Sequence, residues 1–139
     1  MKYAGEEIRT WVIAQLANIQ VSGATIPVVN VARKLLTAPF IDVMNQTQGN
    51  VLTKDSNSAI STVIVQCVTR FDGDYGGDSF ADKMASAVSE RLTDTSGTTT
   101  NFHLNVLGLD ANESTMLINQ TERVITRQLA YRIIVSQLN

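Results

Sequence analysis

Arg123-Val-Ile-Thr-Arg-Gln-Leu-Ala-Tyr-Arg-Ile-Ile-Val-Ser136 is the stretch on which the fold turns. Counted two by two, Ile125, Leu129, Tyr131, Ile133 and Val135 fall on one side with Arg127. Thr126, Gln128, Ala130, Arg132 and Ser136 fall on the other with Ile134. This is the alternation of a half-buried β-strand. Fully extended at roughly 3.3 Å per residue it spans about 40 Å, more than one small core needs. Part of it is therefore expected to meet a neighbour.

Working back from this strand, Phe102-His-Leu-Asn-Val-Leu-Gly-Leu-Asp110 reads as a second late strand. Ala111-Asn-Glu-Ser-Thr115 reads as the connection, with a short paired piece at Met116–Gln120. Thr93–Thr100 reads as a flexible polar turn. The strongest central strand is Ile60–Phe71, where Val63, Val65, Cys67, Thr69 and Phe71 alternate with Thr62, Ile64, Gln66, Val68 and Arg70. Apolar groups on both of its faces predict cover on both sides. Phe80, Met84, Ala87, Val88 and Leu92 form a helical stripe behind a capping-box spacing at Ser79 and Asp82. Its small residues suit close packing.

Near the start, Ile8, Trp11, Val12, Leu16 and Ile19 recur at three- and four-residue steps, which predicts an amphipathic helix over Glu6–Ile19 leaving through Ser22-Gly23. Ile26–Val31, carrying a proline and β-branched residues, reads as extended chain at a sheet edge. Pro39–Met44 is a second extended piece, and Ala32–Leu36 fits either a helical turn or strand. Asn45–Ser58 is polar and turn-rich, a long exposed loop or an open hairpin. The order predicts an α+β domain over residues 1–139, a mostly antiparallel sheet packed with two helices.

Composition narrows the function. Eleven Lys and Arg against 13 Asp and Glu leave a net charge of −2, a poor field for holding a polyanion, although a locally basic inner surface remains open. The N-terminus has no secretion-signal pattern and no window reaches 18 uninterrupted apolar residues. Neither a leader nor a membrane span is expected. Cys67 sits in an apolar alternating run and reads as a small core residue.

Motifs for catalysis or cofactors are weak. Asp72-Gly-Asp-Tyr-Gly-Gly-Asp78 has the alternating carboxylates of a calcium loop, but Lys83 stands where the twelfth-position Glu belongs, so a turn before a helix is the better reading. His103, the only histidine, has no nucleophile elbow with it. Asp42, Asp55, Asp94, Asp110, Glu113 and Glu122 show no spacing that selects an acid/base pair. The expectation is no enzyme, no metal and no cofactor. Arg70, Arg123, Arg127 and Arg132 fit either edge protection of strands or a basic lining for a channel.

The helix Glu6–Ile19, the strand entry Pro39-Phe40-Ile41-Asp42-Val43, the strand Ser61–Phe71, the Gly76-Gly77-Asp78-Ser79 turn into helix Phe80–Leu92, and a closing strand carrying Arg123, Arg127 and Arg132 together resemble the tail completion or tail terminator proteins of tailed bacteriophages. The resemblance spans nearly the whole chain through order, length and pattern. The chain departs from many members in its short polar segment Asn45–Ser58 and acidic balance. The resemblance implies a ring, typically a hexamer, at the head–tail junction of a virion assembled in the host cytoplasm. Its partners would be other copies of itself, the tail tube protein and neck or connector proteins, with DNA passing through the lumen without sequence-specific binding.

A ring needs two different patches on each subunit. Asn50, Leu52, Lys54, Asp55, Phe80, Met84, Arg123 and Arg127 are the interface candidates, and Arg70 and Arg132 the lumen-facing ones. The alternatives are a connector or neck ring of another symmetry, and a small-molecule-binding α+β domain, which a deep pocket with converging polar groups would favour.

Overall fold

Two long strands, Ser58–Asp72 and Glu122–Gln137, form the axis on which the molecule is built. The computed structural model describes residues 4–30, 39–51, 58–72, 78–118 and 122–138. In chain order these form helix α1 (Gly5–Leu16), short strands β1 (Gln20–Val21), β2 (Ala24–Thr25) and β3 (Val28–Val29), and long strands β4 (Phe40–Val51) and β5 (Ser58–Asp72). Helix α2 (Asp78–Leu92), short β6 (Ser96–Thr98) and long β7 (Phe102–Ile118) and β8 (Glu122–Gln137) follow. Six strands make one sheet in the order β3-β4-β5-β8-β7-β6, and β1 and β2 form a separate hairpin. Every pairing is antiparallel except β3 with β4. The fold class is α+β.

β5 and β8 pair without a register shift from Ser58↔Ser136 to Asp72↔Glu122. Because side chains alternate across a strand, this register puts Val63, Val65, Cys67 and Thr69 beside Tyr131, Leu129, Arg127 and Ile125 on one face. Both helices pack on that face. Ile8, Trp11, Val12 and Leu16 of α1 and Met84, Val88 and Leu92 of α2 join Ile41, Val43, Phe102, Leu104 and Val106 in one core. Complete burial of such an aliphatic side chain contributes roughly 1.5–3 kcal/mol, so this shared layer dominates the stability.

Polar contacts lock the layer. Arg91, in the last turn of α2, donates through Nη1 to the carbonyls of Gln15 (3.0 Å) and Ala17 (3.2 Å), which terminates α1 with a cation its own last turn lacks. Glu7 accepts from the backbone N and Nδ2 of Asn101, both at 3.0 Å, tying α1 to the start of β7. Inside, Ser89 Oγ and Tyr131 Oη lie 2.9 Å apart, so the buried tyrosine hydroxyl has a partner.

Several expectations are corrected. Ser22-Gly23 is not the exit of α1: the helix stops at Leu16, and Asn18 turns the chain at φ 60°. Ser22 (φ 51°) and Gly23 (φ 84°) form the two-residue turn of the β1–β2 hairpin instead. Asn45–Val51 is strand paired to β5, so the open-hairpin reading of that segment holds and the loop reading fails. Ala111–Thr115 is part of β7, paired to β8, and not a connection. Ser96–Thr98, inside the expected turn, is a strand on the edge of β7. Ser79 lies within the first turn of α2, one residue past the helix start.

The even-numbered face of β5 departs from the expected two-sided cover. Ile60, Thr62, Ile64, Gln66 and Val68 are half-buried, and no described helix packs on them. The readings of Ala32–Leu36 and of the centre of the Asp72–Asp78 turn fall outside the described residues.

Candidate assembly surface

The pairing registers make the open side of the sheet a single surface. Ile60, Thr62, Ile64, Gln66, Val68 and Arg70 of β5 lie beside Ile134, Arg132, Ala130, Gln128, Thr126 and Val124 of β8. Branched aliphatics alternate there with neutral polar groups. At the β4 side the face closes over Phe40 and Asp42, which are 8% and 4% exposed. Asp42 Oδ1 is the one buried side-chain oxygen among the described residues without a hydrogen-bond partner.

Arg70 and Arg132 both belong to this open face and both are exposed. Arg70 stands opposite Val124, eight positions from Arg132 along β8, a separation of about 26 Å at roughly 3.3 Å per residue. The face therefore carries an exposed arginine near each end, with Asp42 and the exposed Glu113 both level with Gln66 between them.

Arg127 does not join them. Its strand parity turns it to the helix face, where Nε and Nη2 donate to Asp82 Oδ1 at 3.2 and 3.1 Å. Its Nη1 donates to Ser114 on β7. The guanidinium thus clamps α2 to the far end of the β7–β8 hairpin within one chain. Met84 leaves the set of surface candidates: it is 0% exposed, held in the core by the stripe that packs α2 on the sheet. Phe80 is half-buried against that core. With Pro39, Thr69 and Arg70 it lines a hollow of about 200 Å³. Asn50 lies in β4 and Arg123 in β8, while Leu52, Lys54 and Asp55 fall outside the described residues.

A wide hollow of about 500 Å³ along α2 is lined by Ser79, Asp82, Lys83, Ser86, Ala87 and Glu90, without histidine or cysteine. His103 is exposed on β7. The Cys67 thiol is buried and pushed up from 9.0 to about 12 by desolvation, which holds it in the unreactive protonated form. Among the described residues no group of three His, Cys, Asp or Glu side chains is placed to hold a metal ion. No described helix is long and apolar enough to cross a membrane.

What sequence reasoning missed is the pair of strand edges that flank this surface. Among the described residues the outer side of β4 is covered by β3 only at Ile41 and Asp42. The outer side of β7 is covered by β6 at His103–Asn105 and by the Thr95 carbonyl at Val106. Leu107 and Leu109, 46% and 47% exposed, stand where that cover ends. Polar strand residues hid both edges, since alternation is the only signal that would have announced them.

No protein-family model matches the chain, and no curated protein sequence matches it. Among solved structures, the fold is similar to a chain of one described as "Virion of native gene transfer agent (GTA) particle". The TM-score is 0.63 and the identity 16%, over 96% of this chain and 92% of that one. At that identity the likeness is one of fold.

Proposed function

We propose that this chain is a structural protein of a phage-like virion, and that it forms a ring at the head–tail junction which completes or terminates the tail. The observation that carries the reading is a sheet with both helices on one face and a broad, nearly neutral face left open, in a fold similar over almost its full length to a chain of a gene transfer agent virion. Rings close through two different patches on one subunit, and a sheet with one face that no described helix covers and two edges that no described strand fully covers offers such patches.

In this arrangement the helices lie outside and the open face lines the lumen. Affinity for DNA scales with the number of phosphates neutralised. A lining whose described cations are Arg70 and Arg132, spaced along a surface of Thr, Gln and aliphatic groups that also carries Glu113, makes few such contacts per copy and lets the duplex pass. The role is structural, with the tail tube and neck proteins as partners.

Negative-stain imaging and native mass spectrometry of the purified chain, alone and mixed with tail tube and neck proteins, test the proposal. Closed rings of uniform copy number are expected, six being the leading expectation. A chain that stays single at high concentration under both conditions overturns it.

A further inference from the structure

We infer that neighbouring copies join by strand addition, the outer edge of β4 in one copy pairing with the outer edge of β7 in the next. The inference rests on the ring reading above and specifies the joint.

After β3 and β6 have taken their share, Val43–Val51 of β4 and Leu107–Ile118 of β7 present outer sides that no described strand covers. A bare strand edge is a row of backbone donors and acceptors ready to pair, and monomeric proteins usually blunt such edges with Lys or Pro. Neither stretch contains Lys, Arg or Pro. Both strands carry irregularities, β7 between Val106 and Gly108 and between Leu109 and Ala111, β4 between Asn45 and Thr47 and between Gln48 and Val51; from Ala111 to Ile118 the register of β7 is unbroken.

The two edges match each other in direction. β4 is antiparallel to β5, β5 to β8 and β8 to β7, so β4 and β7 run oppositely. Copies related by rotation about an axis roughly along the strands then bring β4 against β7 antiparallel, the more stable pairing.

They match in position as well. Thr47, midway along the bare part of β4, pairs with Thr62, whereas Glu113, midway along that of β7, pairs with Gln128 and through it with Gln66. Thr62 and Gln66 are four residues apart on β5, so the midpoints of the two stretches meet only if each copy slides by that amount. Four residues at about 3.3 Å, across four strands spaced about 4.8 Å, correspond to a strand tilt of about 35°, within the range closed barrels adopt. Because the slide is an even number of residues, the open face of one copy continues into the open face of the next. β6 sits beyond the end of β4 after this slide, whereas β3 comes level with Leu117 and Ile118 and ends the joint there, leaving Leu109–Met116 to pair.

The test combines Thr47→Cys and Glu113→Cys, which the registers place on the same face. Cys67, buried, stays silent. Under mild oxidation the double variant is expected to give a ladder of disulfide-linked multimers up to the ring size. A mixture of the two single variants is expected to stop at covalent dimers. Thr47→Lys with Glu113→Lys, folded by circular dichroism, should need on the order of tenfold more protein to assemble, since like charges opposed across strands repel. Assembly of the wild-type chain without a ladder, or with the lysine variant assembling at the wild-type concentration, overturns the edge joint and leaves the ring reading standing. A wild-type chain that never assembles overturns both.

Discussion

Arg127 on β8 grips a single carboxylate oxygen of Asp82 on α2 through two nitrogens, at 3.2 and 3.1 Å, while a third nitrogen donates to Ser114 on β7. Three elements far apart in sequence meet at one guanidinium whose side chain is 15% exposed. Asp82, at 68% exposure, sits in water, so the pair is screened and contributes at most about 1 kcal/mol. Arg127→Ala also strips packing from the aliphatic stem. It is expected to cost about 1–2 kcal/mol in urea denaturation, with Asp82→Ala costing less than half as much. Equal losses would mean that the charge pair, and not the buried stem, is what matters.

Gly97 on β6 lies against the indole of Trp11, and a methyl group built at position 97 overlaps that ring. Gly97→Ala is expected to destabilise by about 1–3 kcal/mol, the usual cost of overpacking. The chain has one tryptophan, so its emission should report the displacement directly. An unchanged melting temperature with unchanged emission would show that the sheet edge yields without cost.

Alkaline stability should follow Cys67. Burial raises its thiol from 9.0 to about 12, and burial also raises Tyr131, against the lowering effect of its Ser89 hydrogen bond. For an acid whose folded pKa is raised, stability is complete below the unfolded pKa and is lost as pH rises through the folded value. From about pH 9 to 12 the loss approaches roughly 1.4 kcal/mol per pH unit for the thiol alone. Cys67→Ala is expected to cost about 1 kcal/mol at neutral pH. It should also flatten this alkaline slope, leaving only the fall due to Tyr131, which begins near its unfolded value of 10.0. Urea midpoints measured between pH 8 and 11 decide it; an unaltered slope in the variant would assign the loss elsewhere.

Arg132 is exposed on the open face and makes none of the core contacts. Arg132→Glu is expected to change stability by no more than about 0.5 kcal/mol and to leave assembly intact. If the open face lines the lumen, the added negative charge should instead slow DNA passage in assembled particles, measured as ejection kinetics. Normal ejection from particles shown to contain the variant would place this face away from the DNA.

The helices and the two central strands were legible in the sequence because each carries an unbroken period. Ile125, Leu129, Tyr131, Ile133 and Val135 are all buried on the side their alternation assigned, together with the half-buried Arg127. The outer reaches of the sheet were not legible. Asn45-Gln-Thr-Gln-Gly-Asn50 and Ala111-Asn-Glu-Ser-Thr115 have the composition of loops, yet both are strand, because the ladders of β5 and β8 beside them supply the pairing that their own residues do not demand.

Pattern alone therefore determined the α+β class and the faces of α1, α2, β5 and β8 that enter the core, since burial of an apolar stripe is a local demand that each segment states by itself. Only the tertiary structure decided that both helices share one face, that Arg70 and Arg132 lie together on the other, that Arg127 meets Asp82, and that β4 and β7 have outer stretches no described strand covers. Those outcomes depend on which strand stands beside which. Pairing is settled by backbone hydrogen bonds, which every residue except proline offers in the same form.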